Sequence, residues 1–359
     1  MIEYENLKLV NEKIFNEDDK NFDNILKSGW YILGNQVKNF ESEFANYCST
    51  DHCVGVASGL DALILTINSF DFPKDSEIIV PANTYIASIL AIIRNGFKPV
   101  LVEPDIWTYN LDITKIKEKI TKKTKAILVV HLYGKPCDMD PILSLAQKND
   151  LKIIEDASQA HGAKYKGKVV GSFGIGCFSF YPTKNLGAIG DAGAITTKDL
   201  NFAEKLKSLR NYGLSKKHHN DYIGYNSRLD EIQAGFLSIK LKLLDKINSH
   251  KRSLANIYLE NLSDKFFKPI VHEDFFDVYH IFNIRCERRD ELKKYLFENG
   301  IKTEIHYPIP PHKQKAMEKF LNNEYPVTEE IHDTTLSLPI SYCHSKEDIF
   351  KVCKMINSW

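Results

Sequence analysis

At 359 residues the chain is long enough for a large α/β domain, a smaller second domain and an ample core. Its 43% hydrophobic and 26% charged residues are an ordinary globular composition. Lys+Arg and Asp+Glu both total 47, so the net charge is zero, which excludes bulk nucleic-acid binding and leaves any basic surface local.

The opening Met1-Ile2-Glu3-Tyr4-Glu5-Asn6 lacks the basic and apolar regions of a signal peptide, and no stretch approaches the roughly 20 apolar residues of a membrane span. A cytoplasmic protein is expected. The seven cysteines are odd in number and form no Cys-x-x-Cys, which fits unpaired thiols in a reducing compartment. Residues 18–49 carry two helical patterns on either side of Gly29-Trp30-Tyr31-Ile32-Leu33-Gly34. From Val54 onward short apolar strands alternate with helices: Val54–Ala57, Glu77–Pro81, Pro99–Glu103, Lys125–His131 and Lys152–Asp156. That alternation predicts a mostly parallel sheet covered on both faces.

Past Thr183 the large domain continues with a strand over Ala192–Thr197 and a helix over Leu200–Arg210. Asn211–Asp221 is polar, basic and weakly periodic, and reads as a long functional or mobile loop. Its His218-His219 pair lacks a cysteine or carboxylate at metal-ligand spacing, so no metal is expected there. From Arg228 to about Leu262 apolar residues recur at helical spacing (Leu229, Ile232, Phe236, Ile239, Leu243), which predicts one long helix bridging into a small domain. The boundary is placed at Asn248. Beyond it come a strand candidate, Val278–Cys286, a helix, Asp290–Asn299, ended by Gly300, and the proline-rich turn Ile305–His312.

The chemistry concentrates between Asp156 and Ala194. Lys184 follows the aromatic run Cys177-Phe178-Ser179-Phe180-Tyr181 and precedes Gly187, Gly190 and Gly193, which places it at a strand end. Partial burial among aromatics lowers a lysine's pKa and frees its amine for an aldehyde. Asp156 ends an apolar strand, where open α/β sheets place their ligands, and Gln159 follows closely. Ser179 offers a hydroxyl, and Ala57-Ser58-Gly59-Leu60-Asp61 reads as a strand-to-helix turn with free amides for a phosphate. A covalent lysine, an anion for a pyridinium, a partner for a phenolic oxygen and a phosphate cradle are what pyridoxal 5'-phosphate requires. Singly, each residue has a plain structural reading, as a solvated turn, a cap or a strand end. By contrast, Gly171-Ser172-Phe173-Gly174-Ile175-Gly176 reads G-x-x-G-x-G and not the G-x-G-x-x-G of a dinucleotide site.

This ordered set resembles the sugar-nucleotide aminotransferases of the DegT/DnrJ/EryC1/StrS family over essentially the whole chain, most specifically over Asp156–Ala194. The resemblance implies an α/β protein of fold type I, the aspartate aminotransferase-like class. Its large mostly parallel domain would span residues 1–248 and its smaller C-terminal α/β domain 249–359. It also implies that Lys184 carries the cofactor and acts as the catalytic acid and base. Asp156 would partner the pyridinium, Gln159 the phenolic oxygen and Ser179 the phosphate. Tyr85 of Asn83-Thr84-Tyr85-Ile86-Ala87-Ser88 falls on the aromatic that covers the ring, with a core aromatic as the plain alternative. Asn226 falls on the asparagine that reaches the phosphate from a neighbouring subunit, which implies a homodimer; capping a helix near Arg228 is the plain alternative. One departure stands out: many members carry Gly-Thr-Asp where this chain has Gly59-Leu60-Asp61, so backbone amides alone remain there.

Trp30–Gly34, Tyr181 and Ile305–His312 look most like the branch acting on dTDP-3-keto-6-deoxyhexoses, with gluco and galacto versions unseparated. The implied reaction is a ping-pong amino transfer from L-glutamate to C3, on the route to a surface glycan. His306 and Tyr307, held among prolines, can present ring edges to the sugar, or simply pack as a loop. Lys216, Lys217 and Arg228 are the cations available to a nucleotide diphosphate, with Arg228 alternatively anchoring its helix through Asp230 or Glu231. The rival readings are a 4-aminotransferase and a non-catalytic regulator. Dehydratase-like members carry histidine where Lys184 stands.

Overall fold

A computed structural model describes residues 1–15 and 21–359. The first helix, α1 (Leu7–Ile14), is capped by Asn6, whose side chain accepts from the Leu9 amide, and it buries Val10 and Ile14. Helices α2 (Asn21–Ser28) and α3 (Asn35–Cys48) follow on either side of the Trp30 turn; residues 18–20 of the expected helical pattern lie outside the described residues. Strand β1 (His52–Val56) leads through the Ser58 cap into α4 (Gly59–Ser69). The alternation continues as β2 (Glu77–Pro81), α5 (Ile86–Arg94), β3 (Lys98–Val102), α6 (Ile113–Lys119), β4 (Thr124–Val130), α7 (Met139–Lys148) and β5 (Lys152–Asp156).

A small antiparallel pair, β6 (Lys164–Tyr165) and β7 (Lys168–Val169), precedes β8 (Ile175–Ser179) and β9 (Gly193–Thr197). The main sheet has the order β1-β9-β8-β5-β4-β2-β3. All its pairings are parallel except those of β9, which runs antiparallel to both β1 and β8. Strands such as Glu77–Pro81 are buried throughout, as a sheet covered on both faces demands.

After α8 (Leu200–Leu209) the expected long loop is instead a short hairpin, β10 (Leu214–Lys216) and β11 (His219–Asn220), turned by His218 at φ 65°. Polar residues paired over so short a ladder leave no periodic trace. The expected single helix is also two, α9 (Glu231–Leu241) and α10 (Leu244–Asn261). Leu241 and Leu244 on either side of the break pack into the same core, so the apolar rhythm hides the tightened turn between them. Asn248 falls inside α10.

The strand expected over Val278–Cys286 shortens at its start. After β12 (Phe275–Phe276), the amides of Val278 and Ile281 bond to the carbonyls of Gly134 and Tyr133 in the large domain. Only β13 (Phe282–Arg285) enters the C-terminal sheet, antiparallel to β14 (Thr335–Leu338). Helices α10, α11 (Arg289–Glu298) and α13 (Lys346–Ser358) cover that sheet around Leu254, Tyr258, Leu292 and Val352, and α12 (Pro326–Thr334) precedes β14. Among the described residues no helix is long and apolar enough to cross a membrane. All seven cysteines are free.

Candidate active site

Lys184 stands in the turn after β8, its amide donating to the Tyr181 carbonyl at 2.8 Å. Gly187 makes the turn possible: a Cβ there would come within 2.3 Å of the Pro182 carbonyl oxygen. The Lys184 Nζ lies 3.5 Å from His280 Nε2. Burial lowers its pKa from 10.5 to about 8, with Asp156 pulling the other way. At neutral pH about a tenth of such an amine is unprotonated.

Asp156, at the carboxyl end of β5, is buried and held on both oxygens: Ser88 Oγ donates to Oδ2 at 2.7 Å, and the Ser158 amide donates to Oδ1 at 3.2 Å. Gln159 is pinned at both ends. Its Oε1 accepts from the Tyr133 amide at 2.7 Å and its Nε2 donates to Tyr307 Oη at 2.9 Å. Tyr85 precedes α5, half exposed, with its ring centroid 5.0 Å from that of Tyr307. Tyr307, expected at the sugar, therefore sits directly against Gln159 and Tyr85.

At the opposite corner α4 points its first turn at Ser179. A Cβ on Gly59 would lie 2.4 Å from Ser179 Cβ, so a side chain is excluded there, and the first-turn amides of Gly59 and Leu60 have no partner within the helix. Ser58 accepts from the Asp61 amide, and Asp61 Oδ2 accepts from Ser227 Oγ at 2.8 Å, which ties the segment after Asn226 to this corner. Asn226 itself is exposed and bridges Asn211 through its backbone. Because α9 begins only at Glu231, Asn226 does not cap it.

Arg228 does not anchor the helix either. Its Nη1 donates to Asn211 Oδ1 at 3.1 Å and its guanidinium stacks over Tyr212, while Glu231 accepts the amides of Gly34, Gln36 and Val37. His306 Nδ1 lies 2.9 Å from Ser337 Oγ, and burial, then Lys184, takes its pKa down to about 4. Tyr181 is half exposed beside the Lys184 turn. Lys216 and Lys217 are exposed on the hairpin and are not brought against Lys184 or Asp156 by any hydrogen bond among the described residues.

Two histidines escape sequence reasoning. His280 is driven well below its ordinary pKa by burial, then by Lys184 and Lys251, and is a neutral imidazole against the Lys184 amine. His161 is held neutral at about 3 by burial and Lys184, its ring packed beside Phe178 and Phe180. His161 stands in the same run as Asp156 and Gln159, the one local signal available; His280 lies far along the chain. Together the groups form a corner with a readily deprotonated amine, neutral imidazoles, a hydrogen-bonded carboxylate and a helix N-terminus for an anion.

The DegT/DnrJ/EryC1/StrS aminotransferase family matches residues 12–357. The chain belongs to that family. It is 52% identical over 361 aligned residues to a dTDP-3-amino-3,6-dideoxy-alpha-D-galactopyranose transaminase of Aneurinibacillus thermoaerophilus, covering 100% of this chain and 99% of that protein. Among solved structures, DesV of S. venezuelae, in complex with a ketimine intermediate, matches at 43% identity and TM-score 0.96, covering 99% of this chain and 97% of that one. NtdA of Bacillus subtilis, with bound cofactor PMP, matches at 29% identity and TM-score 0.89, covering 97% and 84%. The fold is that of the fold type I aminotransferases, as the family resemblance implies, and its mostly parallel sheet is the one that the alternating elements predict.

The residues present fit pyridoxal phosphate. The glycine-walled turn of α4 against Ser179 suits a phosphate, the buried Asp156 suits a ring nitrogen, and Lys184, within electrostatic reach of Asp156, has the lowered pKa that an aldehyde-binding amine needs.

Proposed function

We propose that this chain transfers an amino group from L-glutamate to C3 of a dTDP-3-keto-6-deoxyhexose, giving a dTDP-3-amino-3,6-dideoxyhexose for a surface glycan. The observation that carries the reading is the end-to-end 52% identity to the Aneurinibacillus transaminase, which also favours the galacto sugar.

Pyridoxal phosphate, when bound, supplies an aldehyde for the amine and a ring that takes up the electron pair released at each proton transfer. Lys184 Nζ, buried beside His280 with a lowered pKa, would hold the cofactor's aldehyde and would serve as the acid and base for the proton that the amino transfer moves. Asp156, held by Ser88 and the Ser158 amide, would keep a proton at the ring nitrogen. Gln159 Nε2, which keeps one hydrogen beyond its bond to Tyr307, would donate to the phenolic oxygen, and Tyr85 would cover the ring. Ser179 and the Gly59 and Leu60 amides bind the phosphate. Asn226 of the partner subunit completes that cradle in a homodimer, a role its exposure leaves open to it. On the substrate side Tyr181, His306 and Tyr307 line the sugar's approach, and Lys217 and Arg228 are the cations nearest in sequence to Asn226. Seven free cysteines support a cytoplasmic setting.

The test is a coupled assay on purified protein with pyridoxal phosphate and glutamate, offering 3-keto and 4-keto dTDP-6-deoxyhexoses and locating the new amine by NMR. Amination at C3 of the galacto sugar is expected. Amination at C4 alone overturns the substrate assignment, and no amination of either overturns the enzymatic reading.

A further inference from the structure

Helix α10 carries Lys251 into the interior beside the Lys184 turn. The side chain is buried, and its Nζ donates to Asn185 Oδ1 at 2.8 Å and to the His280 carbonyl at 3.1 Å. Both acceptors are neutral oxygens. Asn185 follows Lys184 in the chain and extends the contact: its Nδ2 donates to Asn248 Oδ1 and to the Val278 carbonyl, both at 2.9 Å. Asn248 in turn donates to the His161 carbonyl at 2.9 Å. On the other side, the His280 ring faces the Lys184 amine at 3.5 Å. One ammonium thus grips both the chain neighbour of Lys184 and the residue whose ring meets its amine.

A buried ammonium held by neutral oxygens is costly, and an apolar side chain would fill the space at less expense. The charge points to an effect that only a charge can have. We propose that Lys251 is a positioning residue for the Lys184 amine: its ammonium fixes Asn185, the chain neighbour of Lys184, and His280, whose ring meets the amine, and, as a like charge in the interior, repels a proton from that amine.

The titratable groups around the pair are consistent with this. Asp156 faces Lys184 and favours its ammonium, while His161, His280 and His306 are held neutral around it. Lys251 faces Glu5 and Cys343, which favour its charge, and Lys184, which opposes it. Burial takes both lysines to about 8; the Lys184 charge opposes that of Lys251, and a Coulomb repulsion between two ammonium groups acts on both partners. The proposal rests on Lys184 being the cofactor lysine, yet it is read on that amine itself, so its failure is distinct from failure of the substrate assignment.

The experiment uses the full chain free of cofactor. Trace acetylation across a pH series, with peptide mass spectrometry, gives the midpoint at which Lys184 becomes reactive. Lys251→Met should raise that midpoint by about half a unit or more, leaving roughly threefold less free amine at neutral pH. Asn248→Ala cuts the same ladder but keeps the ammonium, and should leave the midpoint in place. An unmoved midpoint in Lys251→Met overturns the proposal, as does an equal rise in Asn248→Ala, which would make packing the cause. Should Lys251→Met fail to fold, Lys251→Arg decides: its guanidinium stays charged through the pH at which Lys251 releases its proton, so the Lys184 midpoint should fall, and an unmoved or raised midpoint overturns the proposal.

Discussion

Ser88 Oγ donates to Asp156 Oδ2 at 2.7 Å, joining the first turn of α5 to the carboxyl end of β5. Thr84 supports that serine through a 2.9 Å contact between the two hydroxyls. A hydrogen bond to a buried carboxylate contributes about 1.5–3 kcal/mol. Ser88→Ala should therefore weaken pyridoxal phosphate binding roughly tenfold or more while leaving the fold intact, since the alanine fills almost the same space. Absorbance titration of the cofactor-free chain measures this. Unchanged affinity would mean that the serine does not aim the carboxylate.

Glu231 is the second carboxylate on which the site's frame depends. It is buried and takes three amides at the start of α3, Gly34 and Gln36 at 2.8 Å and Val37 at 2.9 Å. A negative charge at a helix N-terminus complements the helix dipole, and removing it strands those donors. Glu231→Ala should lose about 2–4 kcal/mol of stability in urea unfolding. Glu231→Gln, which keeps one acceptor oxygen, should lose less. Equal unfolding midpoints for Glu231→Ala and wild type would dismiss the capping role.

Lys184, Asp156, Gln159 and Ser179 could be put forward as candidates from the sequence because of their spacing: they fall at one strand end, in the turn after it and on one neighbouring strand. Their partners come from elsewhere. Tyr307 reaches Gln159 across 148 positions, His280 reaches Lys184 across 96 and Ser227 reaches Asp61 across 166, and no local pattern encodes such contacts. The sheet was legible because strands buried on both faces are continuous apolar runs. The break between α9 and α10 was not, because Leu241 and Leu244 continue the apolar stripe through it. Arg228 misled for a related reason: two acidic residues follow it in sequence, but its actual partners, Asn211 and Tyr212, lie across the hairpin.

Buried lysines also set how stability varies with pH. Lys240 and Lys251 both fall from 10.5 to about 8 through burial, and both are almost wholly enclosed. Below pH 8 they carry charge folded and unfolded, and the folded state bears the full burial cost, at most about 3 kcal/mol each. Between about 8 and 10.5 the unfolded chain holds the protons that the folded chain has released, so stability rises with pH across that window. Buried thiols act oppositely. Cys48, Cys53 and Cys177 are all raised above 9.0 by burial, so above that value the unfolded chain ionises first and stability falls. His131 runs against the lysines: burial lowers its pKa, but Cys137 and Glu155 outweigh that and raise it to about 10, so its contribution falls between pH 6.5 and 10. The lysine part is isolated with Lys240→Met, whose urea midpoint should exceed that of wild type at pH 7 and converge with it toward pH 10; a difference that stays constant with pH would contradict the lysine contribution.

Asn226 and Lys184 give the last prediction, because the proposed composite site needs them from different subunits. Lys184→Ala should lack turnover altogether, having no amine to attach the cofactor or carry the proton. Asn226→Asp places a carboxylate where a phosphate is to bind and should weaken cofactor loading severely through like-charge repulsion. If each site takes Lys184 from one subunit and Asn226 from the other, a mixed dimer of these two variants contains one wholly native site and one doubly defective one. Random re-association of an equal mixture makes half the dimers mixed, so roughly a quarter of wild-type activity should reappear from two impaired parents. The assay is subunit mixing by mild denaturant, dilution and turnover measurement at limiting pyridoxal phosphate. If both residues served the same subunit's site, mixing would produce only sites carrying one defect or the other, and activity would stay at the parents' average. That outcome would remove Asn226 from the cofactor cradle, whereas recovery would require the second subunit.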